Sequence, residues 1–163
     1  MEPPFVGSNP TAPASQLPFE NQRVPRIQLT FNGSPPDLET NRIAKAIETT
    51  AIPNGERLRA SIRFVPANEM AHLHRFKDGE GPTNVLTFVR KTGADVAICL
   101  QVAEEDAKVR GWDLNSELIY LCIHGCLHAL GFDHVDRAGA TEMERLERQI
   151  LATMGLEKSA LDP

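Results

Sequence analysis

Residues 116–134 read S-E-L-I-Y-L-C-I-H-G-C-L-H-A-L-G-F-D-H, and this stretch carries both the centre of the fold and its most reactive side chains. The spacing predicts a helix from about Ser116 to Leu130. Leu118, Leu121, Cys122, Leu127 and Ala129 leave few polar positions around it, so this helix should be central and held on several sides. His124 and His128 lie one turn apart and face the same way. Gly131 can take the left-handed conformation that ends a helix, which would swing His134 round to the same point from a third side. Three neutral imidazoles leave a fourth tetrahedral position open to water, the arrangement of a catalytic rather than a structural zinc ion. We therefore expect His124, His128 and His134 to hold one Zn2+ per chain, whose bound water could ionise near neutral pH.

The same histidine spacing occurs in zinc proteases as H-E-x-x-H-x-x-G-x-x-H, where the glutamate after the first histidine is the general base. Gly125 stands at that position here, so a peptidase built on this site would need its proton acceptor from elsewhere. The alternative, three unrelated histidines in a helix and a loop, is disfavoured because three of the chain's five histidines fall at this spacing. His72 and His74, two residues apart on an expected helix, point in different directions and are not expected to bind metal. Cys126 should face away from the site as a small core residue. Asp133 is expected to orient a ligand or cap the turn rather than bind zinc.

Outward from this helix, the chain alternates between strand and helix signals. Arg26–Phe31 alternates polar and apolar residues like a half-buried strand. Residues 34–37 (Ser-Pro-Pro-Asp) then open a helix carrying Leu38, Ile43, Ala46 and Ile47. Ala60–Val65 reads as a strand, and Asn68 as the cap of a helix reaching about Phe76. Asn84–Val89 and Ala94–Leu100 are two further strands, and helices are expected at about 102–110 and 140–154. The fold class is α+β (mixed α/β), a single sheet of about four strands packed against helices, with the zinc site on a central helix. We expect a disordered arm over residues 1–24, which contain five prolines and no periodicity, one domain over 25–156 and a short tail over 157–163.

At 163 residues and 41% hydrophobic content the chain suits one domain with a sizeable core. The absence of a membrane-length apolar run and of a secretory pattern at the N-terminus, with three cysteines in no paired spacing, points to the reducing cytoplasm and no membrane partner.

The histidine run closely resembles that of the YbeY family of bacterial rRNA maturation factors, single-strand-specific endoribonucleases, whose usual form is H-G-x-L-H-L-x-G-Y-D-H. His74-Arg75-Phe76-Lys77-Asp78 followed by Pro82-Thr83-Asn84-Val85-Leu86-Thr87-Phe88 is similar to that family's Y-R-x-K-D and P-T-(N/D)-V-L-S-F-P block. Ala94-Asp95-Val96-Ala97-Ile98-Cys99 resembles its G-D-I-x-I-C strand, and Glu142-Met143-Glu144 through Leu151 its closing helix. The blocks fall in order between about residues 60 and 153, and it is the ordered set that makes the resemblance specific. His74 and Phe132 stand where tyrosines are usual, Val89 replaces a proline, and Gly79-Glu80-Gly81 reads as a small insertion. The resemblance implies a zinc-dependent endoribonuclease of 16S rRNA 3′-end maturation and ribosome quality control. Its partners would be single-stranded rRNA, the small ribosomal subunit and a ribosomal protein or assembly factor. It also makes Arg75 the candidate catalytic residue, since a guanidinium can bind phosphate through two parallel hydrogen bonds and stabilise transition-state charge.

Charge bears on this in two ways. A net charge of −5 is the wrong sign for a protein that clings to nucleic acid everywhere. Yet residues 57–91 hold seven basic against three acidic residues, and 95–163 hold six against thirteen, so the molecule is polar along its sequence. Few aromatic residues are available for base stacking, so sequence selectivity would come from context or a partner. Two other classes stay open: a different zinc hydrolase, and an assembly factor that binds rRNA or a small-subunit protein with little nuclease activity of its own.

Overall fold

The computed structural model describes residues 26–33, 38–52 and 56–156. The expected arm, the tail and the helix-opening residues 34–37 lie outside the described residues. Nine elements follow in order: β1 (Ile27–Asn32), α1 (Thr40–Ala51), β2 (Leu58–Val65), α2 (Ala67–Arg75), β3 (Val85–Arg90), β4 (Gly93–Cys99), α3 (Leu100–Arg110), α4 (Leu114–Ala129) and α5 (Arg137–Thr153).

The strands form one sheet in the order β1-β2-β4-β3. β1 and β2 run parallel with Ile27 opposite Leu58, and β2 and β4 run parallel with Ala60 opposite Ala94. β3 is antiparallel to β4, pairing Thr87 with Val96. Because side chains alternate across a strand, Leu58, Ala60 and Ile62 of β2 and Ala94, Val96 and Ile98 of β4 all bury on one face. That face meets α1 and α4, and α5 packs on those two helices. Helix α1 buries Ile43, Ala46, Ile47 and Ala51, and α5 buries Met143, Leu146, Ile150 and Leu151, in each case at three- and four-residue spacing. Fully burying a side chain such as Ile43 or Ile47 stabilises the fold by about 1.5–3 kcal/mol. The opposite face carries a smaller cluster of Val65, Met70, Leu86, Ala97 and Cys99 beneath α2.

Helix α4 is buried on nearly every side from Ser116 to Leu127, as its sequence requires. Asp113 caps it by accepting from the Ser116 backbone N–H at 3.0 Å and the Ser116 hydroxyl at 2.7 Å. These bonds hold the Asp113 carboxyl below its ordinary pKa. Gly125 is where α4 touches the sheet most closely. A Cβ there would lie 2.6 Å from Val96 Cγ1 and 3.2 Å from Thr87 Oγ1, and the Thr87 hydroxyl donates to the Gly125 carbonyl at 3.1 Å.

Several boundaries differ from expectation. Asn68 is not a cap: α2 starts at Ala67 behind Pro66, with no side chain capping it, and Asn68 lies within the first turn. Pro66 has no N–H to lose and can precede a helix directly, which makes a polar cap dispensable. Helix α3 follows β4 without a turn at Leu100, and α5 begins at Arg137 because Asp136, rather than a residue near Ala140, accepts from the Gly139 N–H at 2.7 Å.

Candidate metal centre

The three histidines converge as their spacing implies. His124 and His128 project from successive turns of α4, and Gly131 has φ +93°, the left-handed bend that returns the chain. The bend is fixed by backbone bonds from Gly131 N–H to the His128 carbonyl and from Phe132 N–H to the Leu127 carbonyl, both 3.0 Å. His134 follows, exposed. One ring nitrogen from each histidine lies within 4.8 Å of the others, and His124 Nε2 and His128 Nε2 are 3.1 Å apart. A tetrahedral ion with bonds of about 2.0–2.1 Å would set neighbouring donors about 3.3 Å apart.

The outer nitrogens fix which atoms face inward. His124 Nδ1 lies 2.7 Å from Glu147 Oε1 on α5, and His128 Nδ1 lies 3.0 Å from the Phe132 carbonyl oxygen. Both partners accept, so Nδ1–H donates in each ring and the neutral tautomer leaves Nε2 with a bare lone pair. Two such lone pairs 3.1 Å apart repel unless a cation, proton or metal, sits between them. Burial first, then the charges of His124 and His134, holds His128 below its ordinary pKa, with Lys77 adding to this and the bond to Phe132 opposing it. This shift favours the neutral ring, the form that binds metal. The donor set, its spacing and its hydrogen-bonded outer nitrogens fit a metal ion.

Glu147 is the residue that sequence reading missed. Its side chain is only 5% exposed, and it takes the supporting place considered for Asp133. Asp133 instead caps the turn, accepting from the Val135 N–H at 3.2 Å. A signal was available, since Glu147 sits between Met143, Leu146, Ile150 and Leu151 on the apolar face of α5, and a carboxylate at a core position needs a partner. Cys126 is fully buried and faces the core, where burial pushes its thiol up to about 12. His72 and His74 are not part of the metal-binding group: His72 meets the edge of Phe76, and His74 Nδ1 lies 3.0 Å from the Gly81 carbonyl.

The triad opens into a cleft of about 410 Å³. Beside the histidines, its wall includes Lys77, Thr83, Asn84 and Thr87, and no carboxylate lines it among the described residues. Arg75 ends α2, exposed, with Nη2 3.4 Å from His72 Nδ1, and is not among the side chains lining the cleft. Two other bases of the basic segment lie elsewhere: Arg63, paired with Glu69, and Arg90, paired with Asp95, line a second cleft beside Phe88 rather than the triad's. Lys77 is the one cation of that segment that lines the triad's cleft among the described residues.

Comparison with known proteins accords with this arrangement. The family described as Endoribonuclease YbeY matches residues 36–155. The chain is 39% identical over 109 residues to the endoribonuclease YbeY of Chromohalobacter salexigens, covering 61% of this chain and 71% of that one. It is 40% identical over 105 residues to that of Stutzerimonas stutzeri (58% and 66% covered) and 42% identical over 105 residues to that of Pseudomonas fluorescens (58% and 69%). Across such relatives the matched stretch spans from 54% to 71% of their own length. A solution structure of a Thermotoga maritima protein superposes with a TM-score of 0.57 at 20% identity, covering 84% of this chain and 96% of that one, and shares the fold. The family match runs from the approach to α1 to the end of α5 and takes in all three histidines, so the chain belongs to the endoribonuclease YbeY family.

Proposed function

We propose that this chain is a zinc-dependent endoribonuclease that cuts single-stranded RNA during rRNA maturation, with His124, His128 and His134 holding the metal. The observation that carries this reading is the convergence of three inward-facing imidazoles in an open cleft that no carboxylate lines among the described residues. An anionic phosphodiester can enter such a cleft without charge repulsion from its walls. A zinc ion held there would polarise a phosphoryl oxygen and lower the pKa of water. The chain's own residues do the rest. Glu147 and the Phe132 carbonyl orient His124 and His128, while Thr83, Asn84 and Thr87 offer neutral hydrogen-bonding groups along the wall.

Gly125 weighs against the peptidase alternative on packing grounds. The family's glycine is not merely a missing glutamate, because any side chain at this point would collide with Val96. Arg75 stands outside the cleft and would act on a strand that extends past its rim. Arg75→Lys keeps the charge but loses the paired donors, so it should lose most cleavage, and full activity in that variant would remove Arg75 from the mechanism. Three buried, unpaired cysteines support a reducing cytoplasmic setting, and no described helix is long and apolar enough to cross a membrane. The small ribosomal subunit, with a ribosomal protein or assembly factor, is the setting in which we place the reaction.

His124→Ala tests the reading. Cleavage of a single-stranded rRNA fragment should vanish while ribosome association and a folded circular dichroism spectrum persist. A variant that still cuts would overturn the metal's role, whereas retained rRNA maturation in cells with no cleavage by the wild-type protein would favour the assembly-factor reading.

A further inference from the structure

Lys77 is the one lysine or arginine that lines the triad's cleft among the described residues, and the chain around it is built to keep it there. Its own N–H donates to the His74 carbonyl at 2.9 Å, and Gly79 N–H reaches the same carbonyl at 3.0 Å. Asp78 between them takes φ +58°, a left-handed conformation unusual for a non-glycine residue. On the far side the His74 ring meets the Gly81 carbonyl at 3.0 Å and fills the space beside Gly79, where a Cβ would lie 2.0 Å from the ring. The turn is thus tied at both ends around the His74 ring. The Lys77 stem crosses to β3, where its Nζ stands 5.2 Å from the centre of the Phe88 ring. That contact is worth only about 0.5–1 kcal/mol at an exposed site, and Lys77 has no carboxylate partner among the described residues. Asp78 and Glu80 on the same turn are exposed and do not line the cleft. The Lys77 side chain therefore lines the triad's cleft, its ammonium over Phe88 and without a carboxylate partner among the described residues.

We propose that Lys77 binds a phosphate of the RNA strand lying at the three histidines, with the His74–Gly81 turn holding it in place. This rests on the RNA-cleaving reading of the cleft and adds to it the group that holds the strand there. An ammonium is a compact charge with three donors, suited to one phosphate without imposing the planar geometry of a guanidinium. Arg75, paired to His72 away from the cleft, serves a different stretch of the strand.

The test uses the full zinc-loaded chain with a single-stranded oligoribonucleotide, measuring binding at several salt concentrations and the KM and kcat of cleavage. Lys77→Met should weaken binding and lower kcat/KM by about 10- to 100-fold, the worth of one charge-assisted hydrogen bond. It should also flatten the slope of log affinity against log salt by about 0.7, the signature of one lost phosphate contact on a single strand. Zinc content and melting temperature should not change, and Lys77→Arg should recover most of the binding. Wild-type binding, salt slope and cleavage in Lys77→Met would overturn the inference while leaving the endoribonuclease reading intact. RNA binding with a Lys77-dependent slope but no cleavage by the wild type would do the reverse. A wild-type chain that neither binds nor cuts RNA would overturn both.

Discussion

Glu147 offers the sharpest quantitative test of how the metal centre is built. Its carboxylate is buried in α5 and accepts from His124 Nδ1 at 2.7 Å, so it fixes the ring's orientation and makes its inner nitrogen more basic. Partners of this kind are worth about 10- to 100-fold in metal affinity, or about 1.4–2.7 kcal/mol. Glu147→Gln keeps the shape and can still accept through its amide oxygen, so it should fall near the tenfold end. Glu147→Ala loses the acceptor altogether and should fall near the hundredfold end. Because metal binding adds to folding stability by linkage, the zinc-induced rise in melting temperature should shrink by the same free energy, roughly 3–11 °C in a chain of this length. The metal-free glutamine variant should melt within about 1 kcal/mol of the wild type, since one neutral hydrogen bond replaces a charged one. Competition against a chelating dye gives the affinity, and calorimetry with and without zinc gives the stability. If folded Glu147→Gln and Glu147→Ala both hold zinc as tightly as the wild type, Glu147 does not act on the metal through His124.

Other perturbations separate packing from chemistry. Gly125→Ala should lower the urea midpoint, because overpacking against Val96 costs about 1–3 kcal/mol and the gain in helix propensity returns only about 1 kcal/mol; a raised midpoint would contradict the close contact. Asp113→Ala removes the cap of the helix that carries His124 and His128 and should cost about 1 kcal/mol in the same assay, with zinc stoichiometry unchanged. His128, depressed mainly by burial, gives a pH dependence with a defined sign. The unfolded chain takes up this proton first, so metal-free protein keeps its stability above about pH 6.5 and loses it as the pH falls from there toward the lower folded value. Urea midpoints across that range should show the loss, and the slope should be smaller in His128→Gln.

What could be read from the sequence followed the range of each signal. Helix α4 and the triad depend on spacings of four and six residues and on one glycine's left-handed bend, all local, and the strands are legible from alternation in the first and from apolar, β-branched runs in β3 and β4. The apolar face of α5 marks Glu147 as a carboxylate in need of a partner, but it meets His124 only after α4 and α5 pack together, so no local pattern names that partner. Gly125 was legible as a missing base, but its contact with Val96 is a long-range packing fact. Lys77 was eclipsed by Arg75, whose chemistry suits phosphate better, because only the folded turn places one beside the cleft and the other away from it. Asn68 was favoured as a cap on residue type alone, and Pro66 displaced the helix start.

Metal content per chain on the purified protein, paired with cleavage of a single-stranded rRNA fragment before chelation, after chelation and after zinc return, bears on everything above. One equivalent of zinc, with activity that disappears on chelation and returns with the metal, is the expected outcome. Stoichiometric metal with no cleavage, in conditions where a control nuclease works, or cleavage that survives complete removal of metal, would contradict it.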